Sequence, residues 1–282
     1  MKESVWILCV FLLFTSACEK EENNEEMQEE NEFTQEMFIF EDDFETQSNN
    51  LDELFPADGS RWSGIQQVNT ETGDNHISLS TLHSSLSTQS LYMFSKATDQ
   101  TLSKIDIEKN GFKAYPGASL RFEADFFIAN DVNLENLFLF DLESCSCWDP
   151  NVPNNQCPGI RLKFGGNGDY LSLERGKLGL ETIGQAAYSF PKNQWVNVIL
   201  ELVLSSDDDA SNVLIIDGNE VINSSLSNLP NQEVFETLFA QEGIAFQLQE
   251  PLFYERFQLG ATANSSAEDI DVFIDKVKFS IE

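Results

Sequence analysis

The fold class that this sequence predicts is all-β: an antiparallel sandwich of two sheets with at most one short helix. Three observations predict it. Apolar and polar residues alternate with a period of two through most of the chain. Clusters of Ser, Asn, Asp and Gly interrupt that alternation at short intervals. Phe supplies 23 of the 282 residues, and such rings fill the space between two facing sheets.

The first strand falls at 37–44, where Phe38, Phe40 and Phe44 recur among acids, and the second at 90–95. At 120–128, Leu120, Phe122, Ala124, Phe126 and Ile128 share one face while Arg121, Glu123 and Asp125 share the other. Shorter apolar runs at 137–142, 159–164 and 170–175 follow, the last two separated by the glycine-rich turn 165–168. The clearest alternation is 195–204, with Val196, Val198, Leu200, Leu202 and Leu204 on one side. The turn clusters 205–211 and 217–219 bracket a strand at 213–216, and 253–259 and 270–281 complete the set. Only 230–241 has helical spacing, with Val234, Phe235, Leu238 and Phe239 three and four apart.

Ahead of these strands lies a different kind of sequence. Lys2, an apolar run from Val5 to Phe14, and the small residues Ser16 and Ala17 precede Cys18. The run is shorter than the roughly 20 residues a transmembrane helix needs, and it has the layout of a secretory signal over 1–17. Nine Glu and one Lys then lie between Glu19 and Glu36, a composition that stays extended and solvated as a tether over 18–36. One β domain is expected over 37–282, since no linker divides it. The tether holds −8 of the formal charge of −32 and the first 18 residues are neutral, so the domain carries −24. That field repels nucleic acid and other polyanions and leaves neutral glycans unopposed.

The end of the signal resembles the lipobox of bacterial lipoproteins, with Cys18 as the lipidated residue and Thr15 departing from the usual Leu. Acid directly after that cysteine resembles an outer-surface export signal. The resemblance implies a lipid anchor in the outer membrane with the domain facing the cell exterior. The runs 40–45, 83–95, 158–162, 171–178, 190–205, 213–221 and 272–280, among them FEDDFE, PGIRL, VLIIDGNEV and VFIDKVKFS, resemble the strand order of concanavalin A-like jelly rolls. Laminin G-like modules, carbohydrate-binding modules and polysaccharide lyases share that scaffold, so function needs separate argument. Related sandwiches hold a structural calcium with acids from the terminal strands, which here implicates Asp43, Glu45 and Asp275.

Cys145, Cys147 and Cys157 form the one dense cysteine cluster of the domain. Export favours a disulfide in which Cys157 takes either Cys145 or Cys147 as its partner and one thiol is left over. Zinc is the weaker alternative, because no His is near and no CxxC is present. The bridged loop carries Trp148, a candidate stacking platform for sugar rings. Arg161, Lys163, Arg175 and Lys177 make a basic strip on neighbouring strands, and Trp148, Tyr170, Arg161 and Arg175 are expected together as a ligand-binding surface.

Catalytic signatures are sparse. Asp141 and Glu143 share one face of a strand, but the ExDxE pattern of the glucanases on this scaffold is absent. So are the QxH and YxKxGxY motifs of alginate lyases, and His76 and His83 are the two histidines. The expectation is a noncatalytic, cell-surface glycan-binding lipoprotein whose partners are polysaccharide and neighbouring degrading or uptake proteins, with no nucleic acid. A polysaccharide lyase or hydrolase, and an adhesive surface protein, stand as the alternatives.

Overall fold

The computed structural model describes residues 33–68, 75–97, 103–129, 131–264 and 268–282. The expected signal, Cys18 and the tether up to residue 32 lie outside them. Residues 34–282 form one compact unit. Its strands are β1 (Phe38–Asp42), β2 (Gly64–Val68), β3 (His76–Ser80), β4 (Ser90–Ser95), β5 (Ser103–Ala114), β6 (Ser119–Ile128), β7 (Leu137–Glu143), β8 (Gly159–Gly165), β9 (Tyr170–Arg175), β10 (Glu181–Gln185), β11 (Trp195–Val203), β12 (Ser211–Ile216), β13 (Asn219–Ser224), β14 (Tyr254–Asn264) and β15 (Ile270–Ile281). One helix, α1 (Gln232–Ala240), sits in the connection before β14 and is capped by the Asn231 side chain on Glu233 N.

The strands form two antiparallel sheets. The first runs β13-β12-β11-β6-β15-β4-β3, with β1 also pairing β15, and the second runs β10-β9-β8-β7-β14-β5-β2. The period-two pattern decides which face is buried. In the first sheet Val198 and Leu200 pair with Ala124 and Phe122, and all four are buried in the main core. In the second, Ile160, Leu162 and Phe164 of β8 and Phe257 and Leu259 of β14 face the same core. Rings bridge the two layers: Phe122 lies 4.3 Å from Phe140, and Phe257 lies 4.5 Å from Phe279.

A smaller core stands apart, made of Cys147, Trp148, Val152, Phe235, Phe246, Leu248 and Leu252. It packs α1 against the loop closed by the Cys145–Cys157 disulfide. The pairing left open by the sequence is thereby fixed, and Cys147 is the buried thiol left over, pushed up to about 11 by burial. The loop re-enters the second sheet at Gly159, where an added Cβ would lie 1.7 Å from the carbonyl oxygen of Leu142. No side chain fits that approach of β8 to β7.

Candidate functional site

The outer face of the second sheet is polar, charged and nevertheless buried. In β5, Ile105 and Ile107 point to the core while Lys104, Asp106 and Glu108 point away. Across the sheet the same face reads Glu174, Arg161, Asp141 and Gln258 as successive Cα partners on β9, β8, β7 and β14, and Gln258 continues to Glu108. Two residues further along, Glu143 opposes Arg256.

Each of the five cations at the middle of this face has a carboxylate. Lys163 Nζ donates to Glu174 at 2.7 Å, and Arg161 lies 3.7 Å from the same residue with its guanidinium over the Phe138 ring. Lys177, in the turn after β9, is held by Glu143 and lies 3.4 Å from Asp141. Arg256 donates through Nε to Glu143 at 2.6 Å and lies 3.4 Å from Glu108. Lys104 lies 3.4 Å from Asp106 and donates to Gln258 Oε1 at 2.7 Å.

These partners do not satisfy the face. Asp106 Oδ1 and Oδ2, Asp141 Oδ1, Arg161 Nε, Glu174 Oε2, Gln258 Nε2 and Thr262 Oγ1 are buried side-chain atoms with no hydrogen bond. Seven of the eight such atoms found among the described residues therefore lie on this one face. Burying polar groups unpaired costs about 1–3 kcal/mol each, so each of these atoms calls for a partner that the protein itself does not supply. Asp141, Arg161, Gln258 and Thr262 line a cavity of about 260 Å³, which Asn155 and Gln156 of the disulfide loop wall on one side. Arg256 borders both this cavity and a second one of about 560 Å³ lined by Asn110, Lys113, Tyr115 and Glu255.

The electrostatics follow from burial. Asp106, fully enclosed, is held well above the carboxylate range by desolvation that the Lys104 charge only partly offsets. Asp141 is pushed up to about 6 by burial, against the pull of Lys177. Burial pulls Lys177 down, but Asp141 and Glu143 more than offset it and hold its ammonium charged. A carboxyl whose folded-state pKa is raised binds its proton more tightly in the fold, so its stabilising contribution is present at low pH and is lost as pH rises through about 6. Thermal melts should therefore give a Tm a few degrees higher at pH 5 than at pH 7, and Asp141→Asn should reduce that difference, the remainder being carried by Asp106. A Tm that rises steadily across that interval in both proteins would contradict the assignment. Further acidification should reverse the gain, because Glu45, Asp149 and Asp269 are lowered by their hydrogen bonds.

The four residues expected to share a surface are not brought together. Trp148 is 5% exposed and packs edge-on against Phe235, Phe239 and Phe246, its Nε1 donating to Val152 O, so it is core and not a platform. Arg175 opposes Ile160, not Arg161, and so leaves from the other face of β9, where it bonds Ser227 and Glu181. Tyr170 lies about 13 Å along β9 from Glu174, folded over Gly166 and packed on the main core. Of the four, only Arg161 lines the cavity. Sequence reasoning missed Lys104, Asp106, Glu108, Arg256, Gln258 and Thr262; the alternation of SKIDIE over 103–108 was the signal for the first three.

The three carboxylates expected to hold calcium each accept hydrogen bonds from the protein. Asp275 accepts from Ser85 N and Ser87 Oγ, Glu45 accepts from Thr88 N, Thr88 Oγ1 and Gln89 N, and Asp43 accepts from Glu45 N. Asp43 and Glu45 line one recess together with Arg61 and Lys276, and Asp275 is not among the residues that line it. Among the described residues the one close group of potential ligands is Glu143, Cys145 and Cys157, whose sulfurs are joined in the disulfide.

Both histidines lie at the other sheet, His76 in β3 and His83 in the loop before β4. His76 stacks on Phe94, and His83 stacks on Phe127 beside an aromatic row in which Tyr92, Phe273, Phe127 and Trp195 follow one another at 4.7, 5.9 and 5.7 Å.

Neither a protein-family model nor a curated protein sequence matches the chain. Solved structures do resemble its fold. An endo-β-1,4-glucuronan lyase from the fungus Trichoderma reesei superposes with a TM-score of 0.61 at 12% identity, over 87% of this chain and 95% of that one. A cellulose-induced protein does so at 0.55 and 12%, over 85% and 96%. An alginate lyase does so at 0.53 and 10%, over 86% and 96%. The fold shared with these structures is a β-jelly roll.

Proposed function

We propose that this protein binds polysaccharide without cleaving it, through the outer face of its second sheet. In the same proposal, Cys18 anchors the chain by lipid in the outer membrane, facing the cell exterior beside glycan-degrading or uptake proteins. The observation that carries the binding reading is the cluster of orphaned polar atoms around the cavity. Asp141 Oδ1 lacks a donor, Gln258 Nε2 and Arg161 Nε lack acceptors, and Thr262 Oγ1 lacks both. Sugar hydroxyls donate and accept at once, and are the partners such a mixed set requires. The likeness to polysaccharide lyases over nearly the whole domain supports a glycan as the ligand.

The absence of cleavage rests on this cavity, where none of the described lining residues offers a free base. Elimination needs a Tyr, His or Lys able to take a proton at the sugar ring. Lys177 is fixed as an ammonium by two carboxylates. Tyr254 faces the core, donates to Asn228 O at 2.5 Å and is held far above its ordinary range by burial. Hydrolysis is favoured by Asp141 alone, whose raised pKa suits a proton donor. Its would-be companion Glu143 has one oxygen on Lys177 and the other on Arg256, leaving neither to activate water.

A panel of polysaccharides incubated with the purified chain tests this. At least one should bind, with no new reducing ends and no unsaturated ends after prolonged incubation. Binding with turnover contradicts the noncatalytic part, and no binding to any member contradicts the whole. Palmitate labelling that persists in Cys18→Ser contradicts the anchor.

A further inference from the structure

Resting on that binding reading, we infer that the ligand is a neutral, hydroxyl-rich polysaccharide and not a uronate polymer. A uronate site keeps a cation free for the sugar carboxylate, and the smaller cavity keeps none free among the described residues that line it. Lys104, Arg161, Lys163, Lys177 and Arg256 are each within ion-pair distance of a carboxylate of the protein. An incoming carboxylate would have to displace one of those acids, several of them buried, and leave it uncompensated.

The orphaned atoms point the same way. A carboxylate only accepts, so it would serve Gln258 Nε2 and Arg161 Nε but press its charge against Asp141 Oδ1, and farther along the face against Glu174 Oε2. A hydroxyl serves all of them. At longer range the domain's −24 repels a polyanion and is indifferent to a neutral chain.

The experiment offers each polysaccharide of the panel in two forms, native and with its primary hydroxyls oxidised to carboxylates. A neutral member should bind, its oxidised form should bind at least about tenfold more weakly, and added salt should leave the neutral interaction unchanged. Tighter binding of an oxidised, natively uronate or amino-sugar member would overturn the inference while leaving glycan binding intact. Absence of binding to every form would remove both. Thr262→Val supplies the second measurement, because the orphaned hydroxyl goes while shape is kept. It should weaken the neutral ligand about fivefold or more without lowering Tm, since no protein hydrogen bond is lost; unchanged affinity would count against this cavity as the hydroxyl site.

Discussion

Replacing Trp148 with alanine should cost about 3–5 kcal/mol, the range for deleting a buried aromatic side chain. The indole is enclosed by Phe235, Phe239 and Phe246, with centroids 5.9, 5.7 and 4.9 Å away, and its N–H would leave Val152 O without a donor. The small core it anchors is separate from the main one. The damage should therefore be local: α1 and the disulfide loop become open to protease while the sandwich still melts cooperatively. Glycan binding should weaken with them, because Asn155 and Gln156 on that loop wall the cavity. An exposed stacking residue would behave oppositely, losing affinity with stability intact. Full resistance of 231–250 to proteolysis in Trp148→Ala would contradict the packing described.

Asp42→Ala should cost a similar amount, about 3–5 kcal/mol, for a different reason. The Asp42 carboxylate receives Arg61 Nη2 at 2.6 Å, Arg61 Nε at 2.9 Å, Trp62 Nε1 at 3.0 Å and Phe44 N at 2.7 Å. Removing it strands a half-buried guanidinium and a buried indole N–H, and an uncompensated buried charge is among the costliest single changes. Thermal denaturation should show a Tm lower by roughly 10 °C. Chelation of divalent cations should leave the wild-type Tm unchanged, since the carboxylates of these strands are held by protein donors. A Tm that falls with chelator would restore a metal to the terminal strands.

Much of the fold was legible because burial in a sandwich is written locally. The alternation at 120–128 and 195–204 became β6 and β11, paired side by side in one sheet, and the three-and-four spacing at 230–241 became α1. β5 escaped because Lys104, Asp106 and Glu108 are poor strand formers, although the isoleucines between them keep the period. The site was less legible because it depends on register between strands. Arg161 and Arg175 are both basic and close in sequence, yet the β8–β9 turn sets Arg161 opposite Glu174 and Ile160 opposite Arg175. The alternation separates the two arginines, Arg161 lying outward between Ile160 and Leu162 while Arg175 continues the inward series of Leu171 and Leu173; what neither strand carries is which residue of its neighbour each will meet. The orphaned atoms are still further from the sequence, since they arise from how five strands place their outward residues together.

A crystal structure of the chain with a fragment of whichever polysaccharide binds would test the central claim most directly. The sugar rings should lie over β7, β8 and β14, with hydroxyls about 3 Å from Asp141 Oδ1, Gln258 Nε2 and Thr262 Oγ1. Sugar lying instead on Tyr92, Phe127 and Trp195 of the other sheet would contradict it.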